Sequence, residues 1–261
     1  QTLSGQLNRS SKAALLINDS TMAMGTHSVA YKIQLPGFHV TDSIRKRVVS
    51  LASDKSGQVY IGSSDGLYRW EGADLYYFGV KRKGLTYKIN TMCSTPDGLM
   101  FIGPGSDSLF VVRNRDVVAG IALGDIIPGN TCKSLLCSKP GEVWLGTNKG
   151  LNRVRYTWNN EQFTWNNTAF GVADGLSGEQ VNAIFSSKDT LYLATNGGIS
   201  YLPAEMRLPV ADIQTFITRV NINGKDTAVA DSYDLPYDMN DISIEFSAVD
   251  LTGYYPVFQY S

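Results

Sequence analysis

The amino-acid sequence predicts an all-β protein in which residues 1–208 form part of a β-propeller, and two observations support this prediction. A short apolar strand pattern recurs five times, at residues 22–26, 59–63, 100–104, 143–147 and 191–195. The fourth residues of the copies are spaced by 37, 41, 43 and 48 residues, and they are Gly25, Gly62, Gly103, Gly146 and Ala194. Short strands that recur every 40 to 50 residues or so are typical of propeller blades. We therefore expect about five blades, in a fold that more often binds than catalyses.

The core of each copy contains three apolar residues in a row. A half-buried strand would alternate apolar and polar residues, so this pattern predicts a strand covered on both faces. The middle residues are aromatic in four of the five copies, and they are Ala23, Tyr60, Phe101, Trp144 and Tyr192. We expect these rings to fill the gaps between neighbouring blades. A platform on which a sugar or a base stacks is the alternative.

A regular turn follows the second, fourth and fifth copies. Gly66, Gly150 and Gly198 lie where a hairpin requires a positive φ, which glycine adopts without steric cost. The first copy lacks this glycine and the third has an extra residue near Pro104, so we expect these two blades to be the least regular. Further strands are predicted upstream, at 48–52, 89–93, 132–137 and 181–185. Candidate outer strands lie at 75–78 and 163–165.

Composition excludes several classes of partner. The hydrophobic content of 43% and the charged content of 18% are typical of a globular protein. The net charge is −1 with no long run of one sign, which disfavours binding to nucleic acid or anionic lipid. No stretch approaches the roughly 20 apolar residues of a membrane helix. We expect any membrane contact to use a helix outside this chain. No signal peptide is visible, so we expect that one has been removed or that the sequence is a fragment.

The three cysteines are not arranged in a Cys-x-x-Cys motif. Cys93 and Cys137 hold matching positions in two repeats, so we expect them to be small core residues. A bridge between Cys132 and Cys137 is a less favoured alternative, because both residues would lie in one strand. Cysteine usage alone does not indicate the compartment.

No catalytic or metal-binding motif is recognisable in the sequence. His27 and His39 are the only histidines, and their spacing does not match a zinc site. There is no nucleophile elbow and no phosphate-binding glycine loop. We therefore expect no catalytic residues, no metal and no cofactor. A propeller lyase or hydrolase is an alternative that would need convergent acid and base groups.

Two groups of segments resemble a known family. Residues 141–153, 174–177, 181–185 and 191–199 closely resemble the two-component-regulator propeller repeat. Residues 220–225 and 235–250 look like the start of the triple-tyrosine β-sandwich domain, which follows such propellers in hybrid two-component sensors of gut Bacteroidetes. The residues support this independently, because Ile242, Ile244 and Phe246 alternate with polar residues, which predicts a strand with one buried face, and Asn223-Gly224 is a hairpin signal. Residues 209–261 are therefore predicted to be the truncated N-terminal part of an antiparallel β-sandwich.

The resemblance implies a fold and a function beyond the repeats themselves. Family propellers usually close with seven blades, so the five repeats would be part of a ring completed by upstream blades. The chain would be the periplasmic region of a sensor anchored in the inner membrane, and not an enzyme. It would bind an oligosaccharide, dimerise through the sandwich domain and relay the signal to a cytoplasmic histidine kinase. A protein-binding or structural propeller with no small ligand is the alternative.

A ligand is expected on the face formed by the hairpin loops and the connections between blades. The candidate ligand-binding residues are Ser64, Asp65, Arg82, Lys83, Asn148, Lys149 and Asn196. Their polar groups suit sugar hydroxyls. The alternative is that they are solvated turn residues, since turns favour these residue types. A second propeller could also hold the ligand instead.

Overall fold

The computed structural model describes residues 10–124, 127–159, 161–205 and 215–248. The chain divides into two compact units, one ending at Glu205 and the other beginning at Met206. The boundary predicted from the sequence, between residues 208 and 209, lies outside the described residues and stays a prediction. So does the structure of residues 249–261.

Five antiparallel sheets follow one another in the first unit, and in each sheet the strands lie side by side in chain order. Sheet 1 contains β1 (Ser11–Asn18), β2 (Thr21–Thr26), β3 (Ala30–Gln34) and β4 (His39–Ile44). Sheet 2 contains β5 (Ser50–Ser53), β6 (Val59–Ser63), β7 (Gly66–Glu71) and β8 (Asp74–Tyr77). Sheet 3 contains β9 (Ile89–Ser94), β10 (Met100–Pro104), β11 (Ser108–Arg113) and β12 (Asp116–Ala122).

The remaining sheets of this unit continue the same pattern. Sheet 4 contains β13 (Cys132–Lys139), β14 (Glu142–Thr147), β15 (Gly150–Asn159) and β16 (Gln162–Phe170). Sheet 5 has three strands within the described residues, β17 (Val181–Ser187), β18 (Thr190–Thr195) and β19 (Gly198–Pro203). Short 3-10 turns span Phe78–Val80, Lys83–Thr86 and Val172–Asp174. The all-β prediction is confirmed, and none of the sheets is closed.

The recurring sequence pattern forms the second strand of every one of these sheets. The predicted glycines have positive φ values, 128° for Gly66, 120° for Gly150 and 135° for Gly198. Two-residue turns precede these glycines, whereas three residues separate β2 from β3 and β10 from β11. The prediction that the first and third copies are the least regular is therefore confirmed at these turns.

The first strands of sheets 3 and 4 lie beside each other and run in the same direction. Asn90 Nδ2 in β9 donates a hydrogen bond to the backbone oxygen of Cys132 in β13, at 3.4 Å. Three residues further along β9, Cys93 forms a disulfide with Cys137 of β13. The second contact lies C-terminal to the first in both β9 and β13, so the two strands are parallel. Equivalent ends of the two sheets therefore lie on the same side.

One packing contact recurs at four successive sheet interfaces and shows that all share this arrangement. The fourth residue of the repeated pattern packs against a residue at the start of the next sheet's first strand, or two positions before it in the case of Val48. The pairs are Gly25 with Val48, Gly62 with Ile89, Gly103 with Cys132, and Gly146 with Val181. The turns after the second strands and the connections to the next sheet therefore lie at one end of the sheets.

The core of the first unit consists of apolar layers between neighbouring sheets. Alternate residues of a second strand face opposite neighbours, so Val59 and Ile61 pack toward sheet 1 while Tyr60 packs toward sheet 3. Tyr60, Phe101 and Trp144 are at most 1% exposed, which confirms that these rings fill gaps between sheets. Tyr192, in contrast, is 43% exposed, so the prediction was wrong for the last copy. Among the described residues of the first unit, no further sheet covers that face of sheet 5.

The expectation for the cysteines was wrong. Cys93 and Cys137 are not separate core residues but form a disulfide between sheets 3 and 4, with a Cα–Cα distance of 5.7 Å. Residues at the same repeat position become neighbours because the first strands pack in register. Cys132 is buried with a free thiol, so the alternative Cys132–Cys137 bridge is not formed.

The second unit contains one three-stranded antiparallel sheet in the order β21–β20–β22, with β20 (Thr215–Ile222), β21 (Lys225–Thr227) and β22 (Ile242–Ala248). Asn223 and Gly224 have φ values of 48° and 78°, as the predicted hairpin requires. Ile242, Ile244 and Phe246 were expected to form a buried face, but they are 46–52% exposed. Burial of this face requires a second layer, which the described residues of this unit do not supply.

Candidate functional site

The connection face is the end of sheets 1–5 where the turns after the second strands meet the connections between sheets. It comprises the turns 27–29, 64–65, 105–107, 148–149 and 196–197, and the described parts of the connections 45–49, 78–88, 123–131 and 171–180. All seven residues predicted to bind a ligand belong to these turns and connections. No hydrogen bond or ion pair of the described residues joins any two of the seven, so they do not form one cluster.

Asp65 is held by a neighbouring cation. Its carboxylate accepts hydrogen bonds from Lys46 Nζ at 2.7 Å and from the Tyr68 hydroxyl at 3.0 Å. The Lys46 ammonium also lies 3.7 Å from the centre of the Tyr68 ring. Partial burial raises the pKa of the Asp65 carboxyl, but hydrogen bonds from Lys46 and Tyr68 outweigh this effect and lower it overall. Ser64 precedes Asp65 in the same exposed turn.

Asn148 and Asn196 accept equivalent hydrogen bonds in sheets 4 and 5. Asn148 Oδ1 accepts a hydrogen bond from the backbone N–H of Asn130 at 3.1 Å, and Asn196 Oδ1 accepts one from the N–H of Gln180 at 3.0 Å. Each amide thus ties a hairpin turn to the connection that enters the same sheet. Both asparagines therefore have a structural role in the turns. This role is consistent with the alternative interpretation, in which the predicted residues are solvated turn residues.

The other predicted residues are cations. Lys149 Nζ lies 3.3 Å from a carboxylate oxygen of Glu179 in the connection to sheet 5. Arg82 and Lys83 are exposed in the connection between sheets 2 and 3, and neither forms an ion pair within the described residues. These two side chains are therefore accessible to an anionic group.

A basic cleft on this face was not predicted from the sequence. Its volume is about 230 Å³, and it is lined by Lys12, His27, Arg47, Val48, Val49 and Lys88. The four basic side chains are exposed, and no carboxylate is among the described residues that line the cleft.

The repeat explains how these basic side chains come together. Arg47 and Lys88 each directly precede the buried residue that packs against the fourth residue of the preceding repeat, Val48 and Ile89. Lys12 lies at the beginning of β1, and His27 lies in the turn after β2. The basic residues are dispersed along the sequence, so a search for charge runs misses them. The signal that could have identified them is the shared repeat position of Arg47 and Lys88.

A larger cleft of about 420 Å³ lies at the opposite end of sheets 3 and 4, where the β11–β12 and β15–β16 turns meet. It is lined by Arg113, Asn114, Asp116, Val118, Trp158 and Glu161. Asp116 is paired with Lys81 at 2.7 Å, and the Arg113 guanidinium lies 5.9 Å from the centre of the Trp158 ring. Because these charged groups already have partners and both signs of charge are present, the basic cleft is the stronger candidate.

The described residues contain no group of three or more His, Cys, Asp or Glu side chains placed to hold a metal ion. The most buried carboxylate among them is that of Glu142, which is 3% exposed. Its oxygens lie 3.3 Å from Arg155 Nε and 3.4 Å from Lys139 Nζ. This geometry is that of a structural ion pair. None of the helical turns in the described ranges has the length and apolar character needed to cross a bilayer.

No protein-family model matches the sequence, and no curated protein matches it significantly. Solved structures do resemble the chain. The extracellular domain of the hybrid two-component system BT3049 from B. thetaiotaomicron has a TM-score of 0.65 and 14% identity, over 91% of this chain and 35% of that one. The extracellular domain of BT4673 from the same organism has a TM-score of 0.56 and 20% identity, over 73% and 26%.

A second structure of the BT4673 domain, described there as part of a one component system, has a TM-score of 0.59 and 19% identity, over 77% and 28%. The chain thus spans about a third or less of the length of these structures. At such low identity the likeness establishes the fold alone. Over the matched residues the chain shares the fold of part of the extracellular domains of the BT3049 and BT4673 systems from B. thetaiotaomicron.

Proposed function

We propose that this chain is part of the periplasmic, ligand-sensing region of a hybrid two-component sensor. The observation that carries the proposal is the shared fold with extracellular domains of such systems over 73–91% of the chain. The Cys93–Cys137 disulfide also supports it, because disulfides persist in oxidising compartments such as the periplasm. In this proposal a membrane helix outside this chain anchors the sensor in the inner membrane.

Sheets 1–5 are proposed to be consecutive blades of a larger propeller, and the second unit the start of a triple-tyrosine β-sandwich. The uncovered face of sheet 5 supports the first part. Phe185, Tyr192, Ile199 and Tyr201 are 43–77% exposed there, whereas the matching rings of sheets 2–4 are buried between sheets. A further blade would cover this face in a closed ring, which removes exposed sheet edges.

The proposed stimulus is an oligosaccharide bound at the connection face. Exposed cations and polar turn groups there can hydrogen-bond to sugar oxygens, and the described residues show no catalytic grouping. Sensing requires that the ligand bind one of two conformations more tightly than the other. Dimerisation through the sandwich would then relay the change to a cytoplasmic histidine kinase.

A thermal-shift screen of the chain against neutral and acidic oligosaccharides tests the proposal. A ligand at one hundred times its dissociation constant adds about 2.7 kcal/mol to the free energy of unfolding. We expect a clear rise in Tm with oligosaccharides from one polysaccharide and none with the constituent monosaccharides. Chromatography after incubation should show the oligosaccharide unchanged in length, whereas shortened products would favour a lyase or hydrolase.

Failure of every oligosaccharide to raise the Tm of the folded chain would contradict direct sugar sensing. It would favour the protein-binding alternative, for which the aromatic face of sheet 5 is the specific supporting observation.

A further inference from the structure

The basic cleft concentrates positive charge in a chain whose net charge is only −1. Lys12, Arg47 and Lys88 form no ion pair within the described residues. Lys46, next to Arg47 in the same connection, is paired with Asp65. Like charges that share a small cleft repel one another, and an anion bound among them relieves this repulsion.

The charge is also asymmetric across the connection face. The connections 45–49 and 78–88 contain seven Lys or Arg residues and no Asp or Glu, and two of the seven, Lys46 and Lys81, are paired with Asp65 and Asp116. The connection 171–180 contains Asp174 and Glu179 and no Lys or Arg. The positive potential is therefore centred on sheets 1–3, where the cleft lies, and it would attract an acidic ligand to this part of the face.

The chemistry of the cleft indicates the kind of anion. Arg47 offers a planar fork of N–H donors that matches a carboxylate or sulfate, and the two lysines add mobile ammonium groups. Val48 and Val49 form an apolar floor, against which the C–H face of a sugar ring can pack. A volume of about 230 Å³ suits one or two sugar residues more than a macromolecular strand.

We propose that Lys12, His27, Arg47 and Lys88 bind the carboxylate or sulfate groups of an acidic oligosaccharide. This inference rests on the proposed sensing function, because it specifies the class of ligand that the connection face recognises. Carboxylated and sulfated sugars share the chemistry that the cleft selects, and separate probes distinguish them.

Isothermal titration calorimetry on the full 261-residue chain tests the inference. The probes are an oligogalacturonate and its methyl ester, and a sulfated galactan oligosaccharide and its desulfated form. We expect one of the acidic probes to bind at least tenfold more tightly than its neutral counterpart. Its affinity should fall as salt is raised, because salt screens exposed charges over about 10 Å at 0.1 M.

The double variant R47Q/K88Q removes two cations from exposed positions, so the fold should be retained. Each lost charge-assisted contact should weaken binding by about tenfold. The matched control K55Q/K188Q removes two exposed cations from the turns at the opposite end of the sheets and should leave affinity unchanged. The variant R47K/K88R keeps the charges and should bind within a few-fold of the unaltered chain.

Equal losses in R47Q/K88Q and K55Q/K188Q would overturn the inference, because they would indicate attraction by overall charge. Binding of neutral probes as tightly as acidic ones would also overturn it while leaving the sensing function intact. Tighter binding of duplex DNA or of anionic lipid vesicles than of either acidic probe would assign the cleft to another class of partner. Absence of binding by both acidic probes would overturn the inference whatever the neutral screen shows.

Discussion

Gly146 lies at one of the closest approaches between two sheets. An added Cβ would be 2.8 Å from the backbone oxygen of Val181 and would collide with Ser134 Oγ. Glycine is required here because of space, since a backbone atom cannot move aside as a flexible side chain can. Ala194 holds the same repeat position in sheet 5 and is exposed, because no described residue of a further sheet packs against it.

Gly146→Ala is therefore expected to lower the free energy of unfolding by about 1–3 kcal/mol through overpacking. The matched control Ala194→Ser also adds one heavy atom at the equivalent position and should change stability by less than about 0.5 kcal/mol. Urea unfolding of both variants measures the difference. Equal losses of stability in the two variants would show that position four of the repeat, rather than contact with a neighbouring sheet, determines the loss.

The ion pair between Asp65 and Lys46 gives the connection face a dependence on pH. The carboxyl pKa lies below its ordinary value of 3.8, so the pair stabilises the fold above this pH. That stabilisation is lost as the pH falls through the lowered pKa. Partial burial lowers the pKa of Lys46, but the hydrogen bonds that its ammonium donates to Asp65 and Tyr68 raise it overall from 10.5. On the alkaline side the stabilisation is therefore lost as the pH rises through that raised pKa.

Asp65→Asn should lower the free energy of unfolding at pH 7 by about 0.2–1 kcal/mol, the usual range for a partly exposed ion pair. The difference between the variant and the unaltered chain should disappear near pH 2. Denaturant unfolding at both pH values measures it. Glu179→Gln, which removes the more exposed pair with Lys149, serves as the control and should have a smaller effect. A difference that persists at pH 2 would contradict the assignment.

At the scale of the element, the disulfide joins the first strands of two sheets. Cys93 and Cys137 are separated by 44 residues, so the bond closes a long loop of the unfolded chain. Loop-closure entropy predicts a contribution of roughly 3–4 kcal/mol for a loop of this length. Cys132 contributes nothing to this bond, and burial raises the pKa of its thiol.

The double variant C93A/C137A should unfold at lower denaturant concentration than the oxidised chain, because its unfolded state is not constrained. A reductant should lower the stability of the unaltered chain and leave that of the variant unchanged. Titration with a thiol reagent under denaturing, non-reducing conditions should detect one free thiol, that of Cys132. Detection of three free thiols would contradict the bond.

At the scale of the whole molecule, the uncovered face of sheet 5 is a prominent exposed apolar surface. Ile199 and Tyr201 are both 77% exposed at alternate positions of β19, on the same face of the sheet. Surfaces of this kind bind hydrophobic dyes and promote association. Ile199→Lys with Tyr201→Lys should therefore reduce dye fluorescence and shift any self-association toward the monomer.

Light scattering and dye binding test this prediction in the full chain. Val80→Lys is the matched control, since Val80 is 78% exposed but lies outside sheet 5. It should leave both measurements nearly unchanged. An equal response to both variants would indicate that added charge alone, and not the sheet 5 face, controls association.

Local sequence was sufficient to predict most strands and turns of the first unit, although the outer strands β4 and β12 were not predicted. Runs of apolar residues such as Val59, Tyr60 and Ile61 specify a strand buried on both faces, and glycines such as Gly150 specify the hairpin turns. These features depend on neighbours within a few residues, so they can be read along the chain. The Asn223-Gly224 turn was predictable for the same reason.

Contacts between repeats were decided only by the tertiary structure. The Cys93–Cys137 bond and the cleft around Arg47 and Lys88 join residues about 40 positions apart, which become neighbours because the first strands pack in register. The burial of a side chain also depends on whether a neighbouring sheet packs against it, so Tyr192 is exposed although its sequence pattern matches that of Tyr60. The sequence by itself determined the repeating elements, and the packing of one sheet on the next determined the disulfide, the cleft and the exposed face.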